Sequence, residues 1–188
     1  NLRARGLTVT IVEAAPHILA PFDTDMIGPV EAELRQNGIT LVLQNGVKEF
    51  QHQADGTVTV ELGDGQRLPA DFVVLAIGVR PDTAFLQDSG ILLTDRGHIV
   101  VDKFMRTNAP DVYAVGDAVM TIDHQTGNKM ALPLAGPANR QGRLAADNIA
   151  GLQREYHGVQ GSSILKVFSL IAAATGKNER TLQKEGLV

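Results

Sequence analysis

The sequence predicts an α/β fold with a parallel sheet, and three features carry that expectation. Short apolar, largely β-branched runs end at residues 12, 77 and 115, and each is followed by a glycine or an acid. Two longer stretches, near 24–37 and 137–149, have the start and stop residues of helices. The composition, 44% apolar and 20% charged over 188 residues, suits an ordinary globular chain of one or two domains.

In chain order, Asn1-Leu2-Arg3-Ala4-Arg5-Gly6 reads as the last turn of a helix closed by a glycine. Residues 8–13 form the first strand. A loop with Pro16 and Pro21 follows, after which Asp23 or Thr24 can cap a helix reaching Asn37. Ile27, Val30 and Leu34 fall on one stripe of that helix, and Gly38 stands past its end. Residues 39–43 read as the next buried strand. Segments near 47–53, 57–62 and 66–69, separated by Asp55-Gly56 and Asp64-Gly65, form a small antiparallel meander. Residues 71–77 return to the parallel sheet, and Arg80-Pro81 breaks regular structure. A short helix over 83–89 is stopped by Gly90, strands are expected at 99–102 and 112–115, and Gly136-Pro137 opens a helix over about 137–149.

Several function classes are excluded by simple counts. Seventeen basic against twenty-one acidic residues leave a formal charge of −4, so there is no electrostatic case for nucleic acid. No apolar run approaches the length of a membrane span. With no cysteine, the chain has neither disulfides nor thiolate metal sites. The five histidines show no metal-ligand spacing. Asp95, Asp102, Asp117 and Asp123 form no obvious catalytic pair, and no Gly-x-Ser-x-Gly elbow occurs.

Asp117 is the most informative residue. It closes Thr107-Asn108-Ala109-Pro110-Asp111-Val112-Tyr113-Ala114-Val115-Gly116-Asp117. In open α/β sheets, ligands bind outside the carboxyl ends of the strands. Gly116 there admits a ligand close to the backbone, and Asp117 can accept a hydrogen bond from a sugar-type hydroxyl. Taken alone, Gly116-Asp117 reads equally as a turn. Two other strings stand beside it: Leu7-Thr8-Val9-Thr10-Ile11-Val12-Glu13, and Asp71-Phe72-Val73-Val74-Leu75-Ala76-Ile77-Gly78-Val79-Arg80-Pro81.

Together, and in this order over nearly the whole chain, the three strings resemble the pyridine nucleotide–disulfide oxidoreductases. The resemblance implies a three-layer FAD/NAD(P)-binding Rossmann-like fold, present as parts of two such domains. Residues 1–79 then correspond to the end of an NAD-binding domain and 80–160 to the end of an FAD-binding domain. Residues 161–188 correspond to the start of a dimerisation domain. The implied cofactors are FAD and NAD(H). Asp117, with Gly116 and Ala118, would meet the ribityl chain of FAD. Leu134, Ala135 and Gly136 would approach the flavin with the positive end of a helix. Gly78 marks the crossing between the domains. Glu13 would bond the adenosine ribose and disfavour the extra phosphate of NADP; the plainer reading is a strand-end acid in solvent.

Two later stretches narrow the resemblance. Leu132-Pro133-Leu134-Ala135-Gly136-Pro137-Ala138-Asn139-Arg140-Gln141-Gly142-Arg143 is similar to the coenzyme A-disulfide reductase and NADH oxidase branch. So is Ser162-Ser163-Ile164-Leu165-Lys166-Val167-Phe168-Ser169-Leu170, continuing through Glu179. Asn139 matches a substrate-contacting position of that branch, and reads equally as a helix-surface residue. Arg140 and Arg143 could attract coenzyme A phosphates or simply be solvated. The implied parent is a cytoplasmic, homodimeric, NADH-preferring flavoenzyme acting on coenzyme A disulfide or a related persulfide. An NADH oxidase or peroxidase of the same fold is the alternative, and a non-catalytic flavin- or nucleotide-binding module is a third reading. Because no G-x-G-x-x-G loop and no redox cysteine occur, the expectation is a fragment cut inside the first helix of the NAD domain and inactive by itself. Such a fragment is expected to be stable only with the missing half present, or as an intertwined oligomer.

Overall fold

The first six residues form a single 3₁₀ turn, Arg3–Arg5, closed by Gly6 at φ 84° with its N–H on the carbonyl of Arg3. The chain then enters β1 (Val9–Val12), which pairs in parallel with β2 (Ile39–Val42), Val9 opposite Ile39 and Val12 opposite Val42. A parallel pair needs a crossover. Helix α1 (Thr24–Gln36) supplies it, burying Ile27 and Val30 and ending at Asn37 with Gly38 at φ 75°. Burying each of those side chains contributes roughly 2 kcal/mol. Asp23 holds the N-cap position, but its carboxylate accepts the N–H of Glu179 (3.2 Å) instead of one from α1. The meander follows as expected: β3 (Val47–His52), β4 (Val58–Leu62) and β5 (Arg67–Ala70) pair antiparallel in that order. Asp55 and Asp64 each accept a backbone N–H two residues on, from Thr57 (3.0 Å) and Gln66 (2.9 Å), which sets the two turns.

The computed structural model describes residues 1–188, and two compact units divide them. Residues 1–76 and 162–188 make one unit, and residues 77–161 the other. In the first unit, a hairpin of β9 (Ser163–Val167) and β10 (Leu170–Ala174) completes the core. Its Val167 and Ala172 pack with Ile18, Phe22, Ile27 and Val30. A last helix, α3 (Glu179–Lys184), is capped by Asn178, whose side chain accepts the N–H of Thr181 (2.9 Å).

The second unit holds β6 (Ile99–Val100), parallel to β7 (Val119–Ile122), with β8 (Lys129–Met130) antiparallel to β7. Helix α2 (Ala135–Ile149) packs Ala145 against Met105 and Tyr156, with Val101, Tyr113 and Leu144 at the margin. No helix of the chain is long and apolar enough to cross a membrane.

Four expected elements differ. Residues 71–77 do not form a strand; they run irregular and exposed, with Val74 at 68% and Ile77 at 87%. An apolar β-branched run becomes a parallel strand only when neighbouring strands complete its ladder, and none pairs with it here. Residues 112–115 are not a buried parallel strand either. Asp111, at φ 60°, turns the chain back, so that Thr107 and Ala114 donate to Val112 (2.9 Å) and Met105 (3.1 Å) in a local antiparallel bridge between Arg106 and Tyr113. The helix expected at 83–89 shrinks to a 3₁₀ turn, Ala84–Leu86, because Thr83 ties its hydroxyl to the carbonyl of Gly97 (2.6 Å). The strand expected at 99–102 stops at Val100, where Asp102 folds the chain by accepting the N–H groups of Phe104 (2.8 Å) and Arg106 (3.0 Å).

Candidate functional site

Asp117 lies at the centre of a 3₁₀ turn, Gly116–Ala118, between the bridge at Tyr113 and the start of β7. Gly116 takes φ 86°, in the left-handed region that favours glycine. The turn closes by the N–H of Val119 donating to the carbonyl of Gly116. From the other side, the N–H of Gly116 donates to Oε1 of Gln141 at 2.7 Å. Asp117 itself is exposed, and its carboxylate takes no hydrogen bond from the protein. Both of its oxygens are therefore free to accept hydroxyl hydrogen bonds.

The turn packs on the first turns of α2, where a Cβ added to Gly116 would lie 4.0 Å from that of Ala138. Leu134 is the N-cap in extended conformation and offers no side-chain acceptor, while Ala135 and Gly136 are exposed. Pro137 has no N–H to satisfy. The N–H groups of Ala135 and Gly136 thus remain available at the positive end of a 15-residue helix. A Cβ placed on Gly136 would meet nothing within 4 Å, so a ligand could approach the backbone there. Asn139 is exposed one turn on, its Nδ2 donating to the carbonyl of Ala135 (3.1 Å). Arg140 and Arg143 are exposed beside it. Within this unit the fold therefore brings Gly116, Asp117, Ala118, Leu134, Ala135, Gly136 and Asn139 around α2 and the turn that packs on it. Gly78 (φ 90°) instead sits on the exposed 77–80 segment with no neighbour near its Cβ position.

Glu13 belongs to the other unit, at the carboxyl end of the parallel pair. Its N–H donates to Val42 (2.9 Å), and its carbonyl accepts the N–H of Asn45 (3.2 Å). The carboxylate Oε1 accepts the N–H of Ala15 (2.8 Å), which fixes the side chain at the strand's end. An open depression of about 690 Å³ follows β2, lined by Leu43, Gln44, Asn45, Gly46 and Asp64 among others, and contains none of these nominated residues. No cluster of His, Asp or Glu side chains is placed to hold a metal ion.

One residue of this arrangement was not singled out in the sequence. Gln141 is 2% exposed and its side chain fastens the Asp117 turn to α2. The signal was its position: Ala138, Gln141 and Ala145 follow a helical 3–4 spacing, which puts an amide on the apolar stripe.

The residues fit a flavin dinucleotide in type. An uncommitted acid suits a polyol, and an uncapped helix end suits a carbonyl or developing negative charge. Residues 1–142 match the family described as pyridine nucleotide-disulphide oxidoreductase. An NADH oxidase of Methanocaldococcus jannaschii is 35% identical over 177 residues, covering 94% of this chain and 39% of that protein. A coenzyme A disulfide reductase of Staphylococcus epidermidis is 29% identical over 94% of this chain and 39% of its own. The crystal structure of reduced Bacillus anthracis CoADR-RHD superposes with a TM-score of 0.93 at 38% identity, covering 100% of this chain and 33% of that one. The chain thus spans about two fifths of the length of the curated relatives it matches. With three quarters of its residues inside the family match and its whole length laid on a related structure, this chain belongs to the pyridine nucleotide-disulphide oxidoreductase family.

Proposed function

We propose that this chain is part of an FAD-dependent, NADH-preferring reductase that acts on coenzyme A disulfide or a related persulfide. The observation that carries the reading is the Gly116–Ala118 turn, fastened at 2.7 Å to α2, with the Asp117 carboxylate left open on a turn that packs on the helix whose first N–H groups are free. Asp117 would accept hydroxyls of the flavin's ribityl chain. Ala135 and Gly136 would donate their N–H groups to the isoalloxazine, with Leu134 and Ala118 shaping the approach. Glu13 would hold the adenosine ribose of NAD(H) and repel the additional phosphate of NADP. Bound FAD supplies the two-electron chemistry that links NADH to a disulfide. Asn139 and the neighbouring Arg140 and Arg143 supply the amide and positive charge that a phosphorylated pantetheine substrate needs.

This chain has no cysteine, and attack on a disulfide needs a thiolate. That step therefore belongs to residues other than these, and the chain alone should show no reductase activity. The likeness to a coenzyme A disulfide reductase supports the disulfide reading. The likeness to the M. jannaschii protein favours NADH oxidation with oxygen or peroxide as a second reading. A homodimeric, cytoplasmic parent suits both readings. The apolar residues Ile164, Leu165 and Ile171, exposed on the β9–β10 hairpin, offer surface for assembly.

Flavin retention tests the cofactor assignment. After mixing with excess FAD and dialysis, the purified chain should keep flavin absorbance. Asp117→Ala should weaken binding by roughly ten- to hundredfold, the effect of losing hydrogen bonds to a charged group. A folded wild-type chain that keeps no flavin would overturn the half-site.

A further inference from the structure

Gln141 is the only polar residue that α2 buries. A buried amide must be hydrogen-bonded to offset its desolvation, and this one reaches across 25 residues of sequence to accept the N–H of Gly116. That N–H begins a turn whose first residue is already held at φ 86°. The bond fixes the peptide plane between Val115 and Gly116, and with it the direction in which Asp117 leaves the turn. Gln141 lies about one and a half helical turns from the exposed N–H groups of Ala135 and Gly136, on the same helix. The acid and the helix end are therefore referenced to one another by this side-chain hydrogen bond as well as by the packing of Gly116 on Ala138.

From this geometry we infer that Gln141 is a positioning residue for the flavin: its Oε1 sets the Asp117 turn in register with the start of α2, so that one ligand engages both. The inference rests on the flavin reading above. Gln141 touches no ligand in this account; it acts through Gly116.

Three substitutions test it in the full chain. Gln141→Met keeps length and apolar packing but removes the acceptor. Gln141→Asn draws the acceptor back by one methylene and serves if the Met variant does not fold. Gln141→Glu keeps an oxygen at the same reach. FAD affinity, read by flavin fluorescence, should fall about tenfold in Gln141→Met and Gln141→Asn, and recover most of that loss in Gln141→Glu. Without flavin, amide exchange at residues 116–118 should accelerate about tenfold in the first two variants, while residues 142–149 stay as protected as in wild type. Unchanged exchange at 116–118 overturns the assignment, as does unchanged FAD affinity in a folded variant. A wild-type chain that takes up no FAD brings down the flavin reading itself, whereas a wild type and Gln141→Met that bind FAD equally bring down only the role of Gln141.

Discussion

Glu13 and Asp117 are both acids placed just after β-branched runs, yet the protein holds them differently. Glu13 commits one carboxylate oxygen to the N–H of Ala15, whereas Asp117 commits neither. A half-committed carboxylate points in one direction, which is what discrimination between two similar riboses requires. In the nucleotide reading, Glu13→Ala should weaken NADH binding roughly tenfold and narrow its preference over NADPH, from the lost hydrogen bond and lost repulsion. Fluorescence titration with each nucleotide checks this, and an unchanged ratio of the two affinities would refute it. Both acids stand out in the sequence because an acid just after an apolar run is a local pattern, although only Glu13 follows a strand. Gln141 does not stand out, because Asn139, Arg140 and Arg143 around it make that stretch look like a solvated face. Its burial depends on Gly116, 25 residues upstream, and no local pattern records that.

The same division between local and distant causes governs the elements. Helix α1, the meander and the body of α2 were readable, since stripe, cap and turn residues lie within each segment. Residues 71–77 and 112–115 have the composition of buried parallel strands, and composition does not say whether a partner ladder exists. Where none does, the chain takes the nearest alternative, an antiparallel bridge at Tyr113 or no pairing at all. The β9–β10 hairpin shows a distant cause that can be tested. Glu33 on α1 accepts both the N–H (2.9 Å) and the hydroxyl (2.7 Å) of Ser169 at the hairpin's turn. The Ser169 N–H, then its hydroxyl, hold the Glu33 carboxyl below the ordinary carboxylate range. A carboxyl shifted downward on folding stabilises the fold above its unfolded pKa, and that stability disappears as pH falls through the folded value. The hairpin should therefore lose protection from amide exchange at residues 163–174 on acidification below about pH 4. Glu33→Gln should show little pH dependence there and weaker protection at neutral pH. Equal acid sensitivity in the variant would assign the loss to other groups.

At the scale of the whole molecule, the first unit is built from two stretches far apart in sequence, 1–76 and 162–188, with the second unit emerging between them. Val167 and Ala172 complete a core begun by Ile18, Phe22, Ile27 and Val30. On the ribosome those halves appear at different times. At roughly 10 residues per second, the 142 residues from Val30 to Ala172 occupy on the order of 14 s. For that interval the apolar stripe of α1 has no hairpin to cover it, while residues 77–161 can already close on their own centre at Met105, Ala145 and Tyr156. Stalled nascent chains ending before Ser163 should then be cut readily by protease within 17–36, and chains extended past Ala174 and clear of the exit tunnel should resist. Early resistance in the shorter chains would show that α1 closes without the hairpin. Folding of residues 77–161 thus runs ahead of folding in residues 17–36, although the latter leave the ribosome earlier.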